Sequence, residues 1–392
     1  MVRRGYWLNR IEQQWRHRSV LWLRGVRRSG KTTLAQGLDK VEYFDCELPR
    51  VRRAMEDPEA FLHGLPGKRI VLDEVHRLPN PSELLKIAAD HYPTLQVLAT
   101  GSSTLGASRR FRDTLAGRKT ELWLTPMIKA DLAAFQNRDL PHRFLHGGLP
   151  PFFLSPDLPE RDFAEWMDAY WAKDILELFR LERRVSFQRF TELLLAQSGG
   201  IFEATKFASP CEVSRATIAN YLGVLEATSV ALVLRPFSTR RSNEIVSAPK
   251  VYGFDTGFVC ASRGWTSLRR EDLGHLWEHY VLNELTARLG MANLRYWRDK
   301  QGHEVDLVWL ARGSSPAALE CKWSAQDADL TNLTVFARAY PKAKLFVVAN
   351  DAAPAFTRDL GGHSVQFVTV EGFCSSHSKD PAPGDPHRSP FG

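Results

Sequence analysis

The period of the hydrophobic pattern changes several times along the chain, and each change marks an element. VLWLR (20–24) is a short continuous apolar run that stops at Gly25, as expected of a strand buried on both faces of a parallel sheet. IVLD (70–73) and LQVLAT (95–100) are further runs of this kind, so strands alternating with helices are predicted to about residue 125. From about Asp131 to Phe190 apolar residues recur at helical spacing, with no glycine-rich turn after Gly148. The stripe Phe163, Trp166, Tyr170 and Trp171 in that stretch is expected to face a core. Residues 187–246 read as three helices and a short strand, with Ser214 as an N-cap and Ile218, Leu222 and Leu225 on one helical face.

GHLWEHYVLNELTARLG then predicts a helix carrying Glu278 and Glu284. Two apolar runs come after it, separated by a turn at Gly313, Ser314 and Ser315. The first run carries Asp306. The second carries Glu320 and Lys322, which share a face because strand residues two apart point the same way. From residue 375 the chain is rich in Ser, Pro and Gly without periodicity and is predicted to be disordered.

Composition sets outer limits. The chain has 392 residues, long enough for two or three cores, and its 44% hydrophobic and 25% charged content is that of a soluble globular protein. No run reaches the roughly 18 apolar residues of a membrane helix, and the start lacks a signal-peptide pattern, so the expected location is cytoplasmic, with no membrane. Cysteines 46, 211, 260, 321 and 374 form no CxxC pair, which argues against a zinc site or a disulfide framework. The net charge of +7 is local: residues 1–31 hold nine Lys or Arg against Glu12 alone, so the remainder sums to −1. Such a basic segment suits phosphate or an acidic neighbour, or is simply a solvated face.

The most specific chemistry lies after the first strand. GVRRSGKTTL fits G-x-x-x-x-G-K-[ST] at Gly25, Gly30, Lys31 and Thr32, between a strand and a helix. Glycines let backbone N–H groups curl around phosphate, Lys31 reaches the terminal phosphates and Thr32 ligates magnesium. The candidate nucleotide site therefore comprises Gly25, Arg28, Ser29, Gly30, Lys31, Thr32 and Thr33, with ATP and Mg2+ as cofactors. Asp73 and Glu74 end a second strand, where Asp73 would hold magnesium through water and Glu74 would polarise the attacking water; the plainer reading is a helix-capping pair. Thr100, Ser102 or Ser103 could report on the γ-phosphate. Among Arg109, Arg110, Arg112 and Arg118, one could reach a neighbouring subunit's nucleotide, and spacing does not choose between them.

Taken in order, GVRRSGKTTL, VLDEVHRLP, LATGSS, LAGR and FLHGGLPPF resemble the prokaryotic AAA+-like ATPases in which a P-loop domain precedes a C-terminal region of unknown function. The resemblance covers about residues 10–370. It implies Ser102 as the sensor, Arg118 as an arginine acting in trans, and a small helical lid over the nucleotide. SRATIANYLGVLE further resembles a winged helix-turn-helix, with only Arg215, Thr217 and Asn220 near the start of its exposed face. The C-terminal part resembles a restriction-endonuclease-like core, in which Asp306 and Glu320 would bind magnesium, Glu278 would complete the shell and Lys322 would steady developing charge. Cleavage, a non-cleaving nucleic-acid platform and simple salt bridging are all open for that set.

The expected architecture is multidomain α/β: a P-loop AAA+-like ATPase core (1–125), a helical lid (126–186), a winged-helix-like module (187–246), an endonuclease-like α/β domain (247–374) and a disordered tail (375–392). The expected function is an ATP-hydrolysing motor acting on DNA as a homo-oligomer, a hexamer among the options. The alternatives are a nucleotide-dependent switch on a protein partner and an ATP-coupled nuclease.

Overall fold

The computed structural model describes residues 2–101, 109–176, 183–238, 248–311 and 313–377. Five parallel strands form the first sheet: β1 (Val20–Arg24), β2 (Glu42–Asp45), β3 (Arg69–Asp73), β4 (Gln96–Thr100) and β5 (Lys119–Trp123), in the order β2-β3-β4-β1-β5. The runs at 20–23 and 70–73 are fully buried because helices cover both faces, which is why they lack alternation. This order puts the C-terminal ends of β1, β4 and β3 side by side, so Gly25, Thr100 and Asp73 emerge along one edge. The Gly5–Trp15 helix buries Trp7, Leu8, Ile11 and Trp15 against Leu21, Leu23 and Leu98, so the basic N-terminal segment is part of this core.

A second, three-stranded antiparallel sheet runs β6-β8-β7, from β6 (Gly200–Ile201), β7 (Ala231–Leu234) and β8 (Lys250–Gly253). The Arg215–Ala227 helix beside it begins at Ser214, whose hydroxyl accepts the Thr217 N–H at 3.1 Å, and it buries Ile218, Leu222 and Leu225. Pairing of β8 with β7 corrects the boundary drawn at 246, because the sheet needs residues 250–253 to complete it. The signal was missed because KVYG is buried at every position, as are residues 254–260 after it, so no alternation sets the strand apart.

The third sheet has six strands: β9 (Leu294–Arg298), β10 (Glu304–Trp309), β11 (Ala317–Lys322), β12 (Lys344–Ala349), β13 (Phe356–Leu360) and β14 (His363–Val368). Their order is β13-β14-β12-β11-β10-β9, antiparallel at both ends and parallel across β11, β12 and β14. The Arg270–Leu289 helix packs Leu276, Trp277 and Tyr280 onto it. The disordered tail expected from 375 is corrected at its start, since the Val370–His377 helix buries Phe373 and Cys374 and runs through that position; residues 378–392 lie outside the described residues.

The stretch expected to form a lid is divided between two cores. Met127, Leu132, Phe144 and Phe153 pack with the Arg270–Leu289 helix, whereas Phe163, Trp166, Tyr170 and Trp171 pack with Phe187, Tyr221 and Phe258. The aromatic stripe is buried, and the segment cements the modules together rather than standing over the nucleotide alone. All five cysteines are free and buried. Among the described residues no helix is long and apolar enough to cross a membrane.

Candidate nucleotide site and C-terminal carboxyl cluster

The loop after β1 closes tightly because two glycines permit it. A Cβ at Gly25 would lie 2.7 Å from the Leu124 carbonyl and 2.8 Å from Ser29 Oγ, and Gly30 sits at φ +91°, a left-handed conformation that side chains disfavour. Lys31 is buried and folds back over the loop, its ammonium donating to the carbonyls of Gly25 at 2.9 Å and Val26 at 3.2 Å. Burial lowers its pKa from the ordinary lysine value, opposed by the nearby carboxylates of Glu74, Asp174 and Asp73. Ser29 Oγ is buried without a partner. A cavity of about 440 Å³ opens over Gly30, Lys31, Thr32, Glu74, His76 and Asp174.

These residues fit a magnesium nucleoside triphosphate. The Gly25 cradle has no space for a Cβ, the Ser29 hydroxyl lacks a partner, and Lys31 uses two of its three donors on its own loop. Thr32 and Asp73 would hold the ion.

The carboxylates beside it are held by a network that spans three strands. Thr100 donates its hydroxyl to Asp73 and accepts the Glu74 N–H at 3.2 Å, while the Tyr43 hydroxyl donates to the other Asp73 oxygen. Thr100 therefore stands behind the acidic pair as its brace. Glu74 itself adopts φ +55°, uncommon for a non-glycine residue and a form of strain concentrated at functional sites. Its side chain makes no cap to the Val75–Arg77 turn after it, which removes the capping alternative. Instead its carboxylate lies 3.0 Å from His76 Nδ1. Burial alone would raise the Glu74 pKa, but the contact with His76 and the Lys31 charge hold it below the usual carboxylate range. Sequence reasoning missed Tyr43, His76 and Asp174. His76, two residues after the acid, was within reach of it; Tyr43 and Asp174 are brought in only by neighbouring elements.

Arg118 lies elsewhere. It directly precedes β5, which is parallel to β1, so it sits at the sheet edge opposite Gly25, about 16 Å away by the rise of a five-residue strand. Its Nε donates to both Asp90 oxygens, at 2.7 and 3.0 Å. It therefore takes no part in its own chain's site. Ser102 and Ser103, and the side chains of Arg109, Arg110 and Arg112, lie outside the described residues.

Nor does the basic N-terminal segment form one patch. Arg3 pairs with Asp39, Arg4 with buried Asp131, Arg24 with Glu121 and Arg27 with Asp174. Arg16, His17 and Arg18 remain together with Arg118 along an open groove of about 620 Å³.

The four C-terminal residues do converge, with a fifth residue among them. Lys250, carried by β8, places its buried ammonium 2.7 Å from Glu278 and 2.6 Å from Glu304, and Tyr252 donates to Glu278 as well. Lys322 pairs with Glu320 at 2.9 Å, and Asp306 accepts the Cys321 N–H at 2.8 Å. Burial, with the charges of Glu278 and Glu320, raises the Asp306 pKa well above the carboxylate range. The expected magnesium shell of Asp306, Glu320 and Glu278 differs here in one member. Lys250 neutralises the helix acid that was to complete it, and among the described residues no group of three His, Cys, Asp or Glu side chains is placed to hold a metal. Glu278 and Glu320 are each paired with a lysine, whereas Asp306 is held by a backbone N–H and one Glu320 oxygen is buried without a partner.

Beside this cluster, burial first and the neighbouring His275 second pull the His279 pKa down to about 3. Gly253, Arg143 and Arg263 also face it. Below about pH 6.5 the unfolded chain gains a proton here that the native state refuses. Unfolding free energy is therefore expected to fall by about 1.4 kcal/mol per pH unit from this residue as pH drops from about 6.5 towards 3, and to be whole above that range. Urea unfolding at several pH values should show His279→Phe with a slope shallower by one proton; an unchanged slope would mean that His279 titrates alike in the folded and unfolded chain.

The phosphate loop, acidic pair and parallel sheet define the class of the first domain, which has the P-loop ATPase fold of the AAA type. A family model described as an AAA domain matches residues 17–132, and models described as Domain of unknown function (DUF8612) and Domain of unknown function (DUF4143) match 137–269 and 273–368. The chain is 30% identical over 320 residues to Uncharacterized protein Rv2008c of Mycobacterium tuberculosis and equally to Uncharacterized protein Mb2031c of Mycobacterium bovis, covering 78% of this chain and 71% of each relative. It belongs to the family of those proteins. Among solved structures, the Walker-type ATPase PABY2304 of Pyrococcus abyssi aligns with a TM-score of 0.44 and 15% identity, over 67% of this chain and 96% of its own. A STAND protein with a tetratricopeptide repeat sensor, PH0952 of Pyrococcus horikoshii, aligns at 0.27 and 12%, over 71% and 45%.

Proposed function

We propose that the chain is a magnesium-dependent ATPase that works as a nucleotide switch, passing the state of the phosphate loop to its C-terminal region. Lys31 and the loop N–H groups would hold the phosphates, Thr32 and Asp73 the ion, and Glu74 the attacking water. Bound magnesium would neutralise charge on the phosphates. One observation carries the switch. The Arg4 guanidinium donates to the Ser29 carbonyl in the loop at 2.9 Å and to both oxygens of Asp131 at 2.8 Å. Asp131 opens the Lys129–Ala134 helix, whose Lys129 N–H donates to Glu284 of the Arg270–Leu289 helix. That helix also carries Glu278 of the carboxyl cluster. Lys31→Ala is expected to abolish hydrolysis, and intact turnover would overturn the ATPase reading. Hydrogen exchange around 126–134 and 280–290 should differ between ATP- and ADP-bound protein; identical protection would overturn the switch.

A second reading, an oligomeric motor acting on DNA, draws support from the groove where Arg16, His17, Arg18 and Arg118 converge. In an assembly Arg118 would serve a neighbour's nucleotide. The winged-helix-like face adds little, since the exposed side of its helix offers Arg215 with Ala216, Ala219, Asn220 and Glu226. DNA-stimulated turnover, or a shift of branched, single-stranded or duplex DNA at low salt, supports this reading; neither would sink it.

A further inference from the structure

One carboxylate at the phosphate cavity takes no part in the chemistry of Lys31, Thr32, Asp73 and Glu74. Asp174 lines the cavity beside Gly30 and Lys31, although it comes from outside the first domain, on the turn Tyr170–Ile175. A carboxylate beside a triphosphate costs binding unless a cation stands between them. The turn that carries it is π-helical, a wide form frequent at functional sites. It continues the Glu160–Ala169 helix, and steps of four residues set Trp166, Tyr170 and Asp174 along one buried face.

Each of the three has a partner. Trp166 Nε1 donates to the Arg27 carbonyl at 3.0 Å, the Tyr170 hydroxyl shares a hydrogen bond with Thr228 at 2.5 Å, and Arg27 Nε lies 3.4 Å from the Asp174 carboxylate. One helix face therefore grips the phosphate loop at both the backbone and the side chain of Arg27. The same face is bonded to Thr228, which ends the Arg215–Ala227 helix. The two holds on Arg27 differ in strength. The Trp166 bond has ordinary length, whereas a firm charged pair closes to about 2.7–2.9 Å and the contact with Asp174 is longer. Arg27 also lines the cavity, and its charge is felt at Lys31 and at Glu74, the groups that would flank a terminal phosphate.

We propose that Asp174 is a positioning residue that holds Arg27 until a γ-phosphate takes the guanidinium from it, and that this exchange loosens the 170–175 turn. The proposal rests on the reading of Gly25–Thr32 as a triphosphate loop. A γ-phosphate offers charged oxygens that match the guanidinium fork two at a time, which a single long contact does not equal. A diphosphate ends short of that position and leaves Arg27 on Asp174. Tyr170 then carries the difference to Thr228 and the Arg215–Ala227 helix.

Calorimetric titration of the full chain with magnesium and either ADP or the non-hydrolysable imido analogue of ATP tests the exchange. Arg27→Gln should lower the ratio of analogue affinity to ADP affinity by about fivefold or more, and Asp174→Asn should raise it by a similar factor, the lower end of the range for coupled sites. Asp174→Asn added to Arg27→Gln should change the ratio no further, because Asp174 acts through Arg27. ADP binding in each titration reports an intact loop. A ratio unmoved by either single substitution, or an Asp174→Asn effect that persists without Arg27, would overturn the exchange. In the native chain, hydrogen exchange at 170–175 should be faster with the analogue than with ADP, and equal exchange would overturn the loosening. Failure of the native chain to bind either nucleotide would instead overturn the phosphate reading itself.

Discussion

Glu74→Gln should keep the nucleotide bound and slow its hydrolysis by about 10²–10⁴-fold, the contribution of a positioned general base. The substitution preserves the shape of the side chain and removes its ability to take a proton. In the native protein the carboxylate is kept ionised by Lys31 and His76 despite its burial, so its basic form is available at neutral pH. Its backbone, held at φ +55° by the N–H donated to Thr100, aims it into the cavity with Lys31 and Thr32. Gln keeps that N–H, so the loop geometry and ATP affinity should survive. Single-turnover measurements with ATP would show a low rate constant beside a nearly unchanged Kd. Equal loss of binding would assign Glu74 to the structure of the site, and unchanged turnover would remove it from the chemistry.

Asp131→Ala should destabilise the protein by about 3–5 kcal/mol, the range for breaking one side of a buried ion pair. Asp131 is 1% exposed and accepts two bonds from Arg4, one from Trp7 Nε1 at 3.1 Å and one from the Ile128 N–H at 3.1 Å. Its loss leaves the Arg4 guanidinium, itself 5% exposed, without a counter-charge. Three parts of the structure loosen together: the N-terminal helix, the start of the Lys129–Ala134 helix, and the Ser29 carbonyl that Arg4 holds. Urea unfolding should show the lower stability, and ATP affinity of the folded fraction should fall with it. Asp131→Asn keeps acceptor oxygen without charge and should fall between the two. A loss below about 1 kcal/mol would mean that Arg4 finds another partner.

The two sites differ in how far they could be read from residues alone, and the difference is physical. The nucleotide site is local in sequence. Gly25 to Thr33 lie on one loop, and Asp73 ends a strand whose continuous apolar run already marks it as buried and parallel. The carboxyl cluster gathers distant segments, and its decisive member, Lys250, lies on a strand with nothing in its neighbours to distinguish it. The alternation that placed Glu320 and Lys322 on one face was sound, yet it could not show that a lysine from another sheet would share the space. Similarly, spacing put Arg118 in a stretch rich in arginines, while the parallel pairing of β1 and β5 put it on the far edge.

By itself the sequence determined the class of the first domain, its phosphate loop and acidic pair, the buried aromatic stripe and the capped Ser214 helix. Each is encoded by short-range periodicity or by a motif whose chemistry is contained in a few neighbouring residues. Only the tertiary structure decided how those parts work together. It bonded Thr100 and Tyr43 to Asp73, set His76 against Glu74, divided the expected lid between two cores, and ran a buried ion pair from the phosphate loop towards the C-terminal helix. These are contacts between residues 27 to 127 positions apart, apart from His76 and the lid, and no local pattern records a partner at that distance.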